Sequence, residues 1–239
     1  MKPYIFTFER IEKKYRINIE QKKRLISLFK GRLTADSHGK STICSLYLDT
    51  PDFLLIRNSI DAKTYKEKLR IRSYGKVAPD GRVFFEIKKK YKGIVYKRRV
   101  LLPLSDAFLY IESGQKPLDS QIMSEIDYAM RYYREPKPTM MVMYEREAYF
   151  GRAEPDLRIT FDSHIRYRSA DLSPEFECYG TEILPEGELV MEIKTAGAMP
   201  LWLSHILDSE RIFPSSFSKY ANSYRDYINK GEKHNAPAF

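Results

Sequence analysis

The 239-residue sequence is short of the features that most directly disclose a protein's chemistry. It has two cysteines, Cys44 and Cys178, set in separate apolar segments without Cys-x-x-Cys spacing, so no disulfide framework or dithiol motif is legible. Nothing at its N-terminus follows the basic-then-apolar order of a signal peptide, and a reducing cytoplasm is the expected compartment. No run approaches the roughly 18 apolar residues needed to span a bilayer, so any membrane association is expected to come through a partner or a basic surface. The four histidines, His38, His164, His205 and His234, show no metal-pair spacing. Internal repeats, low-complexity tracts and Gly/Ser/Pro-rich linkers are missing too, which points to one domain over residues 1–229 and a tail at 230–239.

What the chain does have is positive charge and strict alternation. Lysine and arginine total 41 against 32 acidic residues, a formal net charge of +9, which favours an anionic partner without choosing among nucleic acid, membrane surface, nucleotide and polyphosphate. Charged and apolar residues alternate with period two over residues 6–17, 42–48, 66–74, 82–90, 94–102, 139–150, 157–162 and 188–195, the pattern of strands whose two faces meet different surroundings. Pro79-Asp80-Gly81 and Lys92-Gly93 read as hairpin turns and residues 151–156 as a looser one, so neighbouring strands are expected to be antiparallel. Helical spacing fills the gaps. Asn18 is placed to cap a helix over 19–29, Ser105 one toward Ile111, and residues 118–133 space their apolar side chains at three and four. Pro200 opens an amphipathic stretch to Leu207 that carries the sole tryptophan, Trp202, and Ser215 or Ser216 precedes a last helix bearing Phe217, Tyr220, Tyr224 and Ile228.

Period two also gathers the charges. Arg10, Glu12 and Lys14 fall on one face, as do Lys68, Arg70 and Arg72; Glu86, Lys88 and Lys90; Lys97 and Arg99; Tyr144 and Arg146; Arg158, Thr160 and Asp162; and Glu192 and Lys194. A solvated sheet face usually mixes signs, because like charges side by side repel; Lys68, Arg70 and Arg72 instead repeat one sign, which suits a polyanion lying among them. The opposite faces, with Leu69, Ile71, Phe85 and Ile87, call for helices or a second sheet to cover them. The expected architecture is α+β: a closed antiparallel β-tunnel with a charged interior and helices packed outside. Glu12, Glu86 and Glu192 either neutralise neighbouring lysines or bind Mn²⁺ or Mg²⁺. For Glu192 the metal is the preferred reading.

The ordered set Phe8-Glu9-Arg10-Ile11-Glu12-Lys13-Lys14-Tyr15, Ser45-Leu46-Tyr47-Leu48-Asp49-Thr50, Lys68-Leu69-Arg70-Ile71-Arg72, Phe85-Glu86-Ile87-Lys88, Tyr144-Glu145-Arg146, Leu157-Arg158-Ile159-Thr160-Phe161-Asp162, Glu192-Ile193-Lys194 and Phe217-Ser218-Lys219-Tyr220 resembles the VTC (vacuolar transporter chaperone) domain of the triphosphate tunnel metalloenzymes. The resemblance implies an eight-stranded tunnel and a polymerase that adds the terminal phosphate of ATP to polyphosphate, releasing ADP. It also implies a phosphate-binding catalytic set of Lys14, Arg70, Arg72, Lys88, Lys97, Arg146, Arg158 and Lys219, and a metal carboxylate at Glu192. Arg10, Lys68, Lys90, Arg99 and Lys194 are further candidates for substrate contact, with Glu12 and Glu86 beside Glu192 as candidate metal ligands. Hydrolytic relatives begin with Glu-x-Glu-x-Lys, whereas here the first position is Arg10, which exchanges a carboxylate for a cation and argues against a plain triphosphatase. Two alternatives stand beside the polymerase: an inorganic triphosphatase, and a non-catalytic module binding polyphosphate or nucleic acid. Nucleic acid is disfavoured, because most of the 18 tyrosines lie among apolar neighbours rather than between cations. By resemblance alone, a membrane subunit is a further expected partner.

Overall fold

The alternating segments become strands and the three-and-four spacing becomes helices in the computed structural model, which describes residues 11–62, 64–92 and 94–231. Arg10, Gly93 of the Lys92-Gly93 turn and residues 232–239 of the expected tail lie outside the described residues. In chain order the elements are β1 (Ile11–Asn18), α1 (Ile19–Leu28), β2 (Leu33–Asp49), α2 (Leu54–Asp61), β3 (Tyr65–Tyr74), β4 (Arg82–Tyr91), β5 (Ile94–Pro103), α3 (Leu104–Ser113), α4 (Gln121–Tyr132), β6 (Lys137–Gly151), β7 (Arg158–Arg168), β8 (Thr181–Glu182), β9 (Glu188–Thr195), α5 (Leu201–Ser209) and α6 (Lys219–Asn229). Backbone pairing orders the strands β1-β9-β7-β6-β2-β3-β4-β5, with β8 on β7, in a large antiparallel sheet. The class is α+β, as the alternation implied. The hydrogen-bonded order has two ends, so backbone bonds among the described residues do not complete the expected ring. No helix of the described residues is long and apolar enough to cross a membrane.

The chain divides into two compact units, each drawn from separate stretches of sequence: Met1–Ser41, Tyr144–Ile165 and Leu184–Ser218 in the first, and Thr42–Met143, Arg166–Ile183 and Lys219–Phe239 in the second. In the first unit, one face of β1, β7 and β9 supplies Tyr15, Ile17, Ile159, Phe161, Met191 and Ile193 to a core closed by Leu25 of α1, Phe29 just after it, and Leu203 and Leu207 of α5. Each such side chain contributes about 1.5–3 kcal/mol when fully buried. Asn18 caps α1 as its position suggested. Its Oδ1 accepts from Gln21 N at 2.8 Å, and Gln21 Oε1 accepts from Asn18 N at 3.0 Å. Trp202 packs edge-on against Phe29 and donates to Glu154 Oε1 at 2.9 Å.

In the second unit, Leu46, Leu48, Leu69, Ile71, Val83, Phe85, Ile87 and Leu102 line the inner face of β2 to β5, covered by Ala107 and Tyr110 of α3 and Ile126 and Met130 of α4. Three helix starts differ from the sequence expectation. Pro103, not Ser105, precedes α3 and offers no side-chain cap, while Ser105 N donates to Pro79 O at 2.9 Å. The fourth helix starts at Gln121, where Ser120 Oγ accepts from Met123 N at 3.1 Å. Lys219 opens α6, and Ser215 instead extends toward β1, its N donating to Lys14 O at 2.7 Å. Helix α2 was not anticipated: its eight residues follow Phe53, which takes a left-handed conformation at φ 59° and gives no side-chain cap. The cap comes from Asp49 and Thr50: Thr50 Oγ1 accepts from Leu54 N at 2.9 Å, Asp49 Oδ1 from Leu55 N at 2.8 Å and Asp49 Oδ2 from Ile56 N at 3.0 Å.

Candidate functional site

Strand pairing in the second unit turns the charged faces into rows. Lys68 lies opposite Lys88, and Lys88 opposite Lys97. The next row runs Tyr47, Arg70, Glu86, Arg99, and the one beyond it Ser45, Arg72, Phe84, Leu101. Lys66 and Lys90 pair in a further row. Among the described residues of β3, β4 and β5, Glu86 is the only acidic side chain on this face. Arg70 donates from Nε (2.8 Å) and Nη2 (2.6 Å) to the Oε2 of that fully buried carboxylate, whose Oε1 has no hydrogen-bond partner. Burial alone would raise the Glu86 pKa, but Arg70, Arg72 and Lys97 outweigh it and the shift is downward.

The cations crowd one another. Lys97 is an exposed residue, yet desolvation of its ammonium, reinforced by Arg99, Arg72 and Arg70 and opposed by Glu86, lowers its pKa to about 8. Tyr47 feels the same field with the opposite charge type. Burial pushes its hydroxyl up, but Arg70, Lys68 and Arg72 bring it down to about 8, and Arg70 Nη1 sits 3.4 Å from the phenol oxygen. The Tyr47 ring stacks on Tyr220 of α6 at 4.0 Å and 7°, next in sequence to Lys219. Tyr220 is fixed in turn, its hydroxyl donating to Asp49 Oδ2 at 2.9 Å and lying 3.2 Å from Thr139 Oγ1. Arg99 lies over Phe84 at 4.3 Å.

The first unit brings acids and bases together in a tighter pattern. Glu12 lies opposite Lys194, and Lys194 opposite Arg158; Lys14 lies opposite Glu192, and Glu192 opposite Thr160. Lys14 Nζ is 3.3 Å from Glu12 and 3.9 Å from Glu192, and donates to Phe217 O at 2.9 Å. Lys194 Nζ lies 4.0 Å from Glu12 and is also paired with Glu192. Arg146 holds the fully buried Asp162 through two bonds, of 2.6 and 2.8 Å, and covers the Tyr144 ring at 5.1 Å. Burial works against that guanidinium's charge, but Tyr144, Asp162 and Glu192 hold its pKa well above the usual arginine value. Arg158 reaches Asp36 at 3.5 Å and stacks over Phe150 at 4.9 Å.

The candidates therefore sort by unit. Lys68, Arg70, Arg72, Glu86, Lys88, Lys90, Lys97 and Arg99 share one sheet face of the second, where Lys219 opens α6. Glu12, Lys14, Arg146, Arg158, Glu192 and Lys194 belong to the first, and Arg10 lies outside the described residues. The carboxylates differ in their fit to a divalent cation. Two, Glu12 and Glu192, approach the same two ammonium groups and so lie close together, the number that a Mg²⁺- or Mn²⁺-type ion uses when phosphate and water complete its oxygen shell. Glu86 belongs to the second unit, where Arg70 holds its Oε2, and no second carboxylate stands beside it on the described residues of β3 to β5. No group of three or more His, Cys, Asp or Glu able to hold a metal occurs among the described residues. Period two set Asp162 on a charged face, helical spacing set Tyr220 on the last helix and Tyr47 stood in a quoted motif, but sequence reasoning assigned none of the three a function. Their partners lie on other strands or on α6, so local spacing could not show what each one meets.

The VTC domain family model matches residues 9–227, nearly the whole chain. The protein belongs to the VTC domain family and has the triphosphate-tunnel fold. A search of curated proteins finds no match. Among solved structures, a candidate adenylate cyclase from Bacillus halodurans is similar at a TM-score of 0.56 and 18% identity, with 90% of this chain and 96% of that one covered. A candidate adenylyl cyclase from Hippeastrum, described as having a dominant triphosphatase activity, is similar at 0.54 and 15% identity, with 91% and 96% covered. Identities this low speak to the fold.

Proposed function

We propose that the chain transfers the terminal phosphate of ATP onto a polyphosphate chain and releases ADP, assisted by a divalent metal. The observation that carries this reading is the row Lys68, Lys88, Lys97, three lysines in successive register on β3, β4 and β5, on a face where the described residues of these strands set Arg70, Arg72 and Arg99 against Glu86 alone. Like charges in that register oppose folding, and at Lys97 desolvation of the ammonium, with Arg99, Arg72 and Arg70 beside it, already lowers its affinity for its proton. A ligand that repeats negative charge at short spacing converts the repulsion into binding. Polyphosphate and the triphosphate of ATP are such ligands.

Phosphoryl transfer asks little covalent work of a protein. Catalysis comes from positioning and from neutralising charge on the transferred group. In the second unit the lysine row and the arginines beside it would hold phosphate oxygens, with Arg70 kept planar and aimed by Glu86 and Tyr47. In the first, Arg146 is pre-set by its two bonds to Asp162, and Lys14 is aimed by the Phe217 carbonyl. Glu12 and Glu192 would hold Mn²⁺ or Mg²⁺, which when bound supplies positive charge to phosphate oxygens. A terminal oxygen of the polyphosphate forms the new P–O bond to the γ-phosphorus as the bond to ADP breaks, and ADP carries away the electron pair.

One specific observation favours hydrolysis as the second reading: the Hippeastrum neighbour's triphosphatase activity on a similar fold. Water would then replace the polyphosphate acceptor. Incubation with ATP and Mn²⁺ separates the two, long polyphosphate with ADP supporting the polymerase and free phosphate alone supporting hydrolysis. Lys14→Ala and Glu192→Ala proteins are each expected to lose at least tenfold in rate, about 1.4 kcal/mol or more of transition-state stabilisation. Unchanged rates in both would remove them from the mechanism.

A further inference from the structure

On the side of β2 away from Tyr47, the two cysteines of the chain meet. Cys44 Sγ lies 3.2 Å from Cys178 Sγ, although 134 positions separate them in sequence. Both are free, Cys44 buried within the second unit's core and Cys178 partly open to solvent. We propose that Cys44 and Cys178 form a redox-active dithiol, a modification site at which a low-molecular-weight disulfide closes a reversible intramolecular bridge.

Three features build the site. The segment carrying Cys178 is pinned from beneath by Arg168, which donates to the carbonyls of Asp171 (2.9 Å), Ser173 (2.9 Å), Glu177 (2.9 Å) and Tyr179 (3.3 Å) and lies over the Tyr179 ring at 4.7 Å. Arg166 adds a bond of 3.1 Å to the carbonyl of Cys178 itself. The thiols are therefore held at contact by a framework that does not depend on a bond between them, and bonding sulfurs, about 2.05 Å apart, need only a small further approach. The second feature is the difference in access: the more open sulfur can meet a reagent, while the buried one is sheltered from it. The third is electrostatic. The hydrogen bond from Cys44, together with Arg168 and Arg166, lowers the Cys178 pKa to about 7 against the effects of burial and Glu177, whereas the Cys178 hydrogen bond and burial push Cys44 up. Such a division of labour makes Cys178 the attacking thiolate and Cys44 the resolving thiol.

The chemistry balances. Cys178 thiolate attacks one sulfur of R–S–S–R, forming a mixed disulfide and expelling RS⁻. With that negative charge gone from Cys178, Cys44 gives up its proton and attacks Cys178 Sγ, expelling the second RS⁻. Two protein thiols have lost two electrons and two protons, and one small disulfide has become two thiols.

The test uses the reduced full chain and oxidised glutathione. After exposure, remaining thiols are alkylated under denaturing conditions and the protein is examined by intact mass, non-reducing electrophoresis and peptide mapping. The expected product is a monomer with both thiols blocked and a linked Cys44–Cys178 peptide, reversed by dithiothreitol. In Cys44→Ser, Cys178 should stall as a glutathione adduct, and in Cys178→Ser, Cys44 should react at least tenfold more slowly. Because either variant could fold poorly, the rate of iodoacetamide alkylation is also followed against pH on the wild-type protein, where Cys178 should react first with a midpoint near 7. Two free thiols after oxidation, a bridge between two chains, or equal alkylation of both cysteines would each overturn the proposal.

Discussion

Replacing Lys97 with methionine should make the free protein more stable and its polyphosphate complex weaker. Methionine keeps the unbranched stem and deletes the ammonium. The fall in the Lys97 pKa from its usual 10.5 to about 8 corresponds to ~3.4 kcal/mol if felt in full. The side chain is exposed, so solvent screening cuts this to about 1 kcal/mol. The sign follows from proton binding. Between about pH 8 and 10.5 the unfolded chain holds this proton more firmly than the native one, so native stability rises with pH through that window, and below pH 8 the penalty is present in full. The gain in Lys97→Met should accordingly be largest at pH 7, shrink as pH rises through the window, and fall with added salt. For a chain of this length ~1 kcal/mol corresponds to an increase in Tm of about 2–4 °C. Thermal melts of both proteins at pH 7 and pH 9.5, each with and without polyphosphate, supply the measurement. Polyphosphate should stabilise the wild type more than the variant, by a difference of about 1 kcal/mol if one phosphate contact is lost. A variant less stable than wild type at pH 7 would mean that Lys97 serves chiefly as a partner for Glu86, and the argument from cation crowding would fail.

Two further perturbations test other parts of the site. Asp162→Asn leaves the half-buried Arg146 guanidinium without its buried carboxylate, and urea unfolding should show a loss of about 3 kcal/mol; a loss below ~1 kcal/mol would mean that the pair does not hold Arg146 in place. Tyr47→Phe should abolish a tyrosine ionisation near pH 8 in ultraviolet difference titration while preserving the ring stack on Tyr220, and persistence of that ionisation would assign it to another residue.

Much of the sheet was legible because strand alternation is a local property. A side chain's face depends only on whether its position is odd or even, so Lys68, Arg70 and Arg72 could be grouped from their numbers, and the structure gathers them on one face with Leu69 and Ile71 in the core opposite. Helices capped by their own neighbours were legible for the same reason, as with Asn18 and α1. Where the cap does not stand at the N-cap position, reading failed. Phe53, which precedes α2, gives none, and the first amides of the helix are satisfied by Thr50 and by Asp49 at the end of β2, four to seven positions earlier.

Sequence by itself therefore determined the family, the α+β class and the face on which the described cations of the strands stand. Tertiary structure alone decided which cations meet. Register brings Lys68, Lys88 and Lys97 into one row, and register depends on strands that are separate in the sequence until they pair. The same holds for Arg146 with Asp162, for Tyr47 with Tyr220, and for Cys44 with Cys178. Charge on a face follows from local covalent geometry, whereas charge against charge, ring against ring and sulfur against sulfur need the chain to return on itself.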